Sequence, residues 1–254
     1  MQITGNTILI TGGGSGIGRG LAEALQRLGN TVIISGRRQS ALDETRAANP
    51  GMQSLAFDIQ DASSIRSFAK KVVDSYPALN VLINNAGIMR HENLAAPQVD
   101  LSDAEAIITT NLLGPIRLTA ALLPHLAKQP RATVINVSSG LAFVPRTDTP
   151  TYCATKAAIH SYTQSLRHQL HGSHVEVLEL IPPYVATDLL DGGDDARAMP
   201  LDQFINEAIA ILKTQPTPEE ICVERVKVLS QATQNGKYAQ VFHMLNPATA
   251  SASQ

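Results

Sequence analysis

The stretch Thr11-Gly-Gly-Gly-Ser-Gly-Ile-Gly18 decides the fold that we predict for this chain. It follows an apolar run at 7–10 and opens a segment, 17–28, in which apolar residues recur at helical spacing. Between a strand and a helix, glycines permit a tight turn and let a pyrophosphate approach the backbone and the positive helix N-terminus. A merely flexible turn is the alternative. The predicted dinucleotide-binding residues of this turn are Gly12, Ser15, Gly16, Ile17 and Gly18.

Apolar runs continue to alternate with helical patterns beyond this turn. Strands are predicted at 7–10, 31–35, 53–57, 80–84, 132–137 and 174–180, and long helices at 102–126 and 152–170. Apolar strands joined by helices indicate a parallel sheet that is covered on both faces. The predicted fold class is α/β, a doubly wound parallel sheet with helices on both faces and ligands at the carboxyl ends of the strands.

Length and composition favour one large domain. The 254 residues are 44% hydrophobic and 17% charged, which is typical of a globular enzyme, and we predict a single catalytic domain over 1–254. The segment 188–218 interrupts the alternation with Gly192-Gly193 and several aspartates. We predict that this segment covers the site as a substrate lid. The alternative is a surface excursion with no role at the site.

Charge and cysteine content exclude several classes of partner. A net charge of −2 with 4% aromatic residues removes the electrostatic and stacking case for nucleic acid, and the charge also disfavours an anionic membrane. Cys153 and Cys222 form no disulfide framework and are predicted to be reduced. No secretory signal pattern is present, and no apolar run is expected to be long enough to span a bilayer. We expect a cytoplasmic protein.

The end of the second strand bears on the choice of cofactor. It reads Ser35-Gly36-Arg37-Arg38 and lacks the acidic residue that binds the ribose hydroxyls of NAD and repels a 2′-phosphate. Guanidinium groups pair with phosphate through bidentate hydrogen bonds. NADP(H) is therefore predicted in preference to NAD(H), with Arg37 as the favoured ligand and Arg38 as the second. The alternative is that both are solvated charges at the start of a helix.

Two further strand ends supply predicted cofactor contacts. Asp58, followed by Ile59, ends the third strand, where its carboxylate would accept a hydrogen bond from the adenine amino group. Its alternative role is a turn or N-cap residue, for which Asp61 competes. Small residues after the fourth strand suit close packing against ribose, unless they form only a turn. These residues are Asn85, Ala86 and Gly87.

Tyr152 and Lys156 form the candidate chemical group, with Ser139 lying 13 residues upstream of the tyrosine. Residues at i and i+4 share a helix face. An ammonium about 4 Å from a phenol is worth roughly 4 kcal/mol at an effective dielectric near 20, which would lower the pKa of Tyr152 from about 10 toward a working range. Ser139 is predicted to hold the substrate oxygen. Taken alone, the Tyr–Lys pair would be interpreted as a surface pair.

Asn111 lies four residues before Pro115 inside the predicted helix 102–126. Proline has no N–H group, so the carbonyl of Asn111 loses its usual helical partner. We predict a kink there and a freed oxygen that holds a water, through which protons pass between Lys156 and solvent. A tolerated kink without a chemical role is the alternative.

These motifs together resemble the short-chain dehydrogenase/reductase family in its short, single-domain form, over about 6–189. The resemblance implies a Rossmann-like fold and a catalytic tetrad with Tyr152 as acid/base; the tetrad is Asn111, Ser139, Tyr152 and Lys156. It implies that Tyr152 and Lys156 also contact the cofactor, and that Val185 and Thr187 touch the nicotinamide carboxamide. It further implies a homodimer or homotetramer formed through the long helices.

Two segments depart from the family pattern. Pro182-Pro183-Tyr184 stands where the family usually has Pro-Gly, which places Tyr184 near the predicted substrate pocket. The family's final strand ends in an Asp-Gly-Gly-like stretch that 238–246 lacks, so the presence of that strand is an open question. Other predicted pocket residues are Met89, Phe143 and Met199.

No metal site is predicted. His168, His171 and His174 straddle a helix end without a completing carboxylate, and are interpreted as solvated side chains. The aspartates of the 188–195 segment lack the alternating ligand pattern of a cation loop. Cys153 is interpreted as a small apolar side chain.

The functional hypothesis is an NADP(H)-dependent oxidoreductase that interconverts a carbonyl and an alcohol by hydride transfer. An NADP-binding sensor without turnover is the first alternative, although a sensor needs no acid. A sugar-nucleotide epimerase or dehydratase is the second, disfavoured by the short C-terminal region. The predicted partner is a small carbonyl or alcohol substrate of unknown identity.

Overall fold

The computed structural model describes residues 1–190 and 195–247. Its centre is a parallel β-sheet of seven strands. The strands run in the order β3-β2-β1-β4-β5-β6-β7. Their bounds are β1 Thr7–Thr11, β2 Thr31–Gly36, β3 Gln53–Ala56, β4 Leu79–Asn84, β5 Ala132–Val137, β6 Val175–Ile181 and β7 Glu220–Cys222. The order reverses between β1 and β4, which places a ligand crevice at the carboxyl ends of these strands. The predicted doubly wound fold is confirmed.

Helices cover both faces of the sheet. Their bounds are α1 Gly16–Arg27, α2 Gln39–Ala48, α3 Ile65–Ser75, α4 Ser102–Ile108, α5 Gly114–Leu126, α6 Pro150–Gln169, α7 Leu201–Leu212, α8 Lys227–Ser230 and α9 Tyr238–Leu245. One core joins the sheet to α1 and α7, and a second joins it to α3 and α5. Strand residues are buried toward both cores, which accounts for the continuous apolar runs of β1, β4 and β5.

The predicted helix 102–126 is interrupted by a π-helical turn, Thr109–Leu113. This turn contains Asn111 and ends two residues before Pro115, so the helix is irregular at the position where a kink was predicted. By length and hydropathy the whole run could cross a bilayer, so the prediction that no apolar segment reaches that length is wrong. Its inner residues Leu118, Leu122 and Leu126 are fully buried against the sheet, which is the packing of a core helix.

The C-terminal region departs most from the sequence-based expectation. The seventh strand lies at Glu220–Cys222, and the stretch that would carry the family's final strand is the helix Tyr238–Leu245. Tyr238, Val241 and Phe242 recur at helical spacing, and Val241 is buried. The short β7 pairs with β6 and forms one edge of the sheet.

The segment predicted as a lid, 188–218, contains α7, which is part of the main core. Phe204 and Ala208 of α7 are fully buried, and Ile205 packs on Gly20 of α1. Residues 191–194 of the predicted lid, including two of its aspartates, lie outside the described residues. A lid role is therefore left to the part of the segment that precedes α7, where it stays a prediction.

Candidate active site

The glycine turn lies between β1 and α1 and brings three parts of the chain into contact. Gly12 has a φ of +68°, a backbone conformation that a side chain disfavours. A methyl group added at Gly12 would lie 3.0 Å from the Cα atom of Ala86. One added at Gly18 would overlap the carbonyl oxygen of Gly12. Glycine at these positions lets β1, α1 and the segment after β4 meet without intervening side chains.

Replacing Gly18 with alanine should lower the free energy of unfolding by about 1–3 kcal/mol, because the new methyl group overlaps a backbone oxygen. A helical Gly→Ala change alone would stabilise by about 1 kcal/mol, so a net loss reports the overlap. Urea denaturation measures the change. Gly36→Ala is the control, since its methyl group would meet only Leu42 at 3.8 Å. Unaltered stability of Gly18→Ala would show that the turn adapts.

The hydroxyl of Thr11 ties this turn to the segment after β4, a role that the sequence analysis did not assign. Thr11 Oγ1 accepts hydrogen bonds from the backbone N–H groups of Asn85 and Ala86, both at 3.0 Å. Asn85 Nδ2 donates to the carbonyl of Thr11 at 3.0 Å. These contacts give Asn85, Ala86 and Gly87 a fixed place beside the glycine turn. A buried threonine at the end of a strand was the available signal.

The two arginines after β2 differ in their placement. Arg38 Nη2 donates to the hydroxyl of Ser15 at 3.1 Å, directly before the start of α1. Arg37, favoured from the sequence, is exposed beside it. The structure therefore brings Arg38 rather than Arg37 into contact with the glycine turn, because the chain bends into α2 after Gly36. Both cations nevertheless lie at the same corner of the crevice.

Asp58 follows β3 and takes part in a local turn. Its Oδ1 accepts a hydrogen bond from the N–H group of Gln60 at 3.0 Å. Asp61 accepts from the N–H groups of Ser63 and Ser64, so Asp61 rather than Asp58 stabilises the start of the α3 region. Ile59 is buried in the second core. The predicted adenine contact of Asp58 and Ile59 stays a prediction.

The loop after β6 brings Thr187 to the glycine turn and holds Val185 against Met199. Val185 is buried and pairs with Met199 in an isolated parallel bridge. Thr187 lies beside Gly16, since a methyl group added there would be 3.4 Å from the threonine side chain. Met199 is fully buried in the main core, so the prediction that it lines the pocket is wrong.

The four residues of the predicted tetrad are all buried. Lys156 Nζ lies 5.6 Å from the ring centroid of Tyr152 and donates to the carbonyl of Val137 at 2.8 Å. Ser139 is extended and its hydroxyl accepts from the N–H group of Leu141 at 3.1 Å. A surface interpretation of the Tyr–Lys pair is excluded, since both side chains are at most 6% exposed.

The pKa values of this pair follow burial. Burial raises the pKa of Tyr152 to about 12, although the neighbouring Ser139 hydroxyl acts in the opposite direction. Burial also lowers the pKa of Lys156 to about 8, against the effect of the Glu179 carboxylate. We expected Lys156 alone to lower the pKa of Tyr152 toward neutral pH. The structure does not meet this expectation, because desolvation disfavours the charged form of both groups. In this structure Tyr152 is a neutral phenol.

The side chain of Asn111 links the π-helical turn to α6. Its Oδ1 accepts from the N–H group of Ile88 at 2.9 Å, and its Nδ2 donates to the Ile88 carbonyl at 2.9 Å and to Thr155 Oγ1 at 3.3 Å. A small pocket beside it is lined by Asn84, Ala86, Asn111, Pro115, Asn136, Val137, Lys156 and Ile159. Within the described residues, Asn84 Oδ1 in that lining is buried without a partner. The pocket is too small to admit a water molecule in this structure, so the predicted water at Asn111 stays a prediction.

Glu92 holds the start of the helix that carries Tyr152. Its carboxylate accepts from the N–H group of Thr151 at 2.9 Å and from the Thr151 hydroxyl at 2.6 Å. Its own N–H group donates to the Asp148 carbonyl at 2.9 Å. An anion at a helix N-terminus is stabilised by free N–H groups and by the helix dipole. Glu92 therefore fixes the loop after β4 to the first turn of α6.

Replacing Glu92 with alanine should lower the free energy of unfolding by about 1–2 kcal/mol, since α6 loses its N-terminal carboxylate. Thermal and urea denaturation measure the loss. Glu224→Ala, which removes a carboxylate from an exposed pair with Lys227, is the control and should change stability by less than about 1 kcal/mol. Equal effects of the two changes would contradict the assigned role of Glu92.

Other predicted pocket residues occupy varied positions. Met89 is buried in a cluster with Tyr152, Ile107 and Cys153. Phe143 packs edge-on against His160, with ring centroids 4.7 Å apart. Tyr184 is partly exposed and its hydroxyl donates to Asp195 at 3.3 Å. Met89 thus lies beside the predicted acid, whereas Tyr184 faces the remainder of the predicted lid.

Comparison with known proteins places this arrangement in a family. The model of the family described as short chain dehydrogenase matches residues 6–197, which contain the glycine turn and all four tetrad positions. The chain belongs to the short-chain dehydrogenase/reductase family. It is therefore an oxidoreductase of the NAD(P)-dependent dehydrogenase type that acts on alcohol or carbonyl groups.

Individual relatives resemble the chain over much of its length. The uncharacterized oxidoreductase DltE of Bacillus subtilis is 39% identical over 251 residues, which are 97% of this chain and 98% of the relative. Serine 3-dehydrogenase of Agrobacterium fabrum is 36% identical over 72% of this chain and 73% of its own length. A solved short chain dehydrogenase of Burkholderia cenocepacia, in complex with NADP, has a TM-score of 0.80, 24% identity and coverage of 96% and 98%. The last match supports the fold.

Proposed function

We propose that this short-chain dehydrogenase/reductase uses NADP(H) and interconverts a small ketone or aldehyde with its alcohol, with Tyr152 as the acid/base. The observation that carries the proposal is that Ser139, Tyr152 and Lys156 are all buried and that the Tyr152 side chain neighbours both Ser139 and Lys156. A sensor without turnover would not need a buried phenol at hydrogen-bonding range of a buried serine.

The residues present fit a nicotinamide dinucleotide. The glycine turn offers a side-chain-free surface before the N-terminus of α1, which suits a pyrophosphate. Arg38 with Ser15, and Arg37 beside them, would hold a 2′-phosphate. The remaining proposed contacts are Ile17, Asp58, Ile59, Asn85, Ala86, Gly87, Val185 and Thr187. When bound, the cofactor supplies or accepts the hydride.

The side chains of the tetrad would transfer the proton to and from the substrate oxygen. In the direction of reduction, the Tyr152 hydroxyl donates its proton to the substrate oxygen, and Ser139 donates a hydrogen bond to the same oxygen. The Lys156 ammonium stabilises the phenolate that forms. Asn111 fixes the π-helical turn to the backbone of Ile88, and a water at the Asn111 carbonyl would return a proton to Lys156. Burial of the site favours these steps, since electrostatic interactions strengthen away from solvent.

The proposed substrate site is a groove of about 480 Å³ that is lined in part by Cys153, the neighbour of Tyr152, and its size favours a medium-sized, partly apolar substrate. It runs between the loop after Ser139 and the first turns of α6, and its Leu141 also packs on the cluster around Tyr152. The test is a panel of ketones, aldehydes and secondary alcohols with NADPH or NADP⁺, followed by absorbance at the nicotinamide band. Absence of turnover across the panel with either NADP(H) or NAD(H) would favour the sensor alternative.

A further inference from the structure

A row of buried polar side chains crosses three adjacent strands beneath the site. Asn84 pairs in register with Asn136, and Asn136 pairs with Glu179. All three side chains are at most 3% exposed, and Glu179 is fully buried. Carboxylates are rarely buried without a partner, so the surroundings of Glu179 indicate a specific role.

Two donors fix the Glu179 carboxylate. The Ser138 hydroxyl donates to Oε1, and His160 Nδ1 lies 2.9 Å from Oε2. Ser138 directly precedes Ser139 of the tetrad, and His160 lies one helical turn after Lys156 on α6. The carboxylate is therefore held between the two elements that carry the proposed chemistry.

Lys156 is bonded to the same short stretch at the end of β5. Its Nζ donates to the carbonyl of Val137, and the next residue, Ser138, donates to Glu179. Lys156 and Glu179 thus contact consecutive residues from the same side of the sheet. Both groups are buried, where charges interact more strongly than in water even without a direct contact.

We propose that the buried carboxylate of Glu179 is a positioning group that keeps Lys156 in its ammonium form. This inference rests on the proposed function, in which the ammonium stabilises the Tyr152 phenolate. Glu179 touches neither substrate nor cofactor and acts through Lys156. Burial alone lowers the pKa of Lys156, and the Glu179 charge opposes that effect.

His160 modulates this charge in a pH-dependent way. Glu179 raises the pKa of His160, so a protonated His160 cancels part of the carboxylate charge at acidic pH. Above that pKa the imidazole is neutral and the carboxylate charge acts fully on Lys156. The ionisable groups around the carboxylate are Lys156, His160 and Arg167 from α6, Glu220 and Cys222 from β7, and Lys227 from α8 beside Cys222.

The same groups could hold a cation, and this alternative is tested below. Ligand atoms of His160, Glu179 and Glu220 lie within 4.8 Å of one another. However, the oxygens of Glu179 already accept from Ser138 and contact His160, which is a hydrogen-bonded arrangement rather than an open set of ligands.

The test is the titration of Lys156 in cofactor-free protein labelled with ¹³Cε-lysine, with the signal assigned by its loss in Lys156→Arg. The wild-type midpoint is expected near 8. In Glu179→Gln it should fall by about half a pH unit or more, because removal of a nearby negative charge favours loss of the proton. With the best ketone substrate, the alkaline limb of kcat/KM for reduction should move to lower pH by a similar amount.

Matched variants separate charge from structure. Glu220→Gln removes an exposed carboxylate from the neighbouring strand and should leave the midpoint unchanged, since water screens that charge. His160→Gln keeps the Glu179 charge and should also preserve the alkaline midpoint. His160→Arg places a permanent cation beside Glu179 and should lower the titration midpoint of Lys156. If Glu179→Gln does not fold, His160→Arg provides the test.

An unchanged Lys156 midpoint in Glu179→Gln, or in His160→Arg when the first variant does not fold, would overturn the proposal. So would a wild-type midpoint that rises on treatment with EDTA, because removal of a bound cation would unmask the carboxylate charge and the group would then be a metal site. The titration needs no turnover. If the wild type fails to oxidise NADPH with every carbonyl tested, only the proposed function is contradicted. The Lys156 titration still tests the role of Glu179.

Discussion

Tyr152→Phe should reduce kcat for carbonyl reduction by about 10²- to 10⁴-fold, the range that a positioned general acid contributes. The expectation follows from the neutral, buried phenol of Tyr152, which can donate a proton at neutral pH. Phenylalanine fills almost the same volume, so the Kd of NADPH should stay within about threefold and the fold should persist. Steady-state kinetics and fluorescence titration of NADPH measure the two quantities.

Tyr162→Phe provides the matched control. Tyr162 lies on the same helix and is half-buried, but it is not part of the crevice. Its replacement should leave kcat within about twofold. Equal activities of Tyr152→Phe and wild type would remove Tyr152 from the mechanism, whereas loss of NADPH binding with loss of turnover would indicate a structural role instead.

The second large effect concerns cofactor selectivity. Replacing Arg37 and Arg38 together with alanine should raise the KM for NADPH by about 10- to 100-fold and change the KM for NADH by less than about threefold. Charge-assisted hydrogen bonds to a 2′-phosphate are worth about 1.5–3 kcal/mol, and solvent exposure of both arginines reduces that value. The ratio of kcat/KM for the two cofactors measures the effect.

Single variants assign the contribution of each arginine. Arg38 is bonded to Ser15 and already faces the glycine turn, so Arg38→Ala should have at least as large an effect as Arg37→Ala. Arg46→Ala removes a cation from the far end of α2, where it pairs with Asp43, and is the control for net charge. An NADPH preference that survives the double change would show that neither arginine binds the phosphate.

Much of the site was predictable because its motifs are local. Gly12 and Gly18 are required by a strand–turn–helix geometry that is complete within a dozen residues, and the Tyr152–Lys156 spacing is a property of one helix. The irregularity at Asn111 followed from a proline four residues later and appears as the π-helical turn. Covalent and helical constraints of this kind can be predicted from the sequence without tertiary structure.

The positions of side chains that depend on packing between separate elements were harder to predict from the sequence. The sequence ranked Arg37 above Arg38, yet the chain direction after β2 brings Arg38 to Ser15. Met199 was expected at the pocket and is fully buried in the core, because α7 docks on α1. Both outcomes depend on how separate elements pack, which local spacing does not report.

The amino-acid sequence by itself determined the parallel fold, the glycine turn and the residue types of the tetrad, because strand apolarity and short-range spacing carry that information. Only the tertiary structure decided that Lys156 and Glu179 contact the consecutive residues Val137 and Ser138 at the end of β5. Glu179 lies 23 residues beyond Lys156 on another element, and no motif links them. Strand register buries this carboxylate beneath the site, where desolvation makes its charge effective.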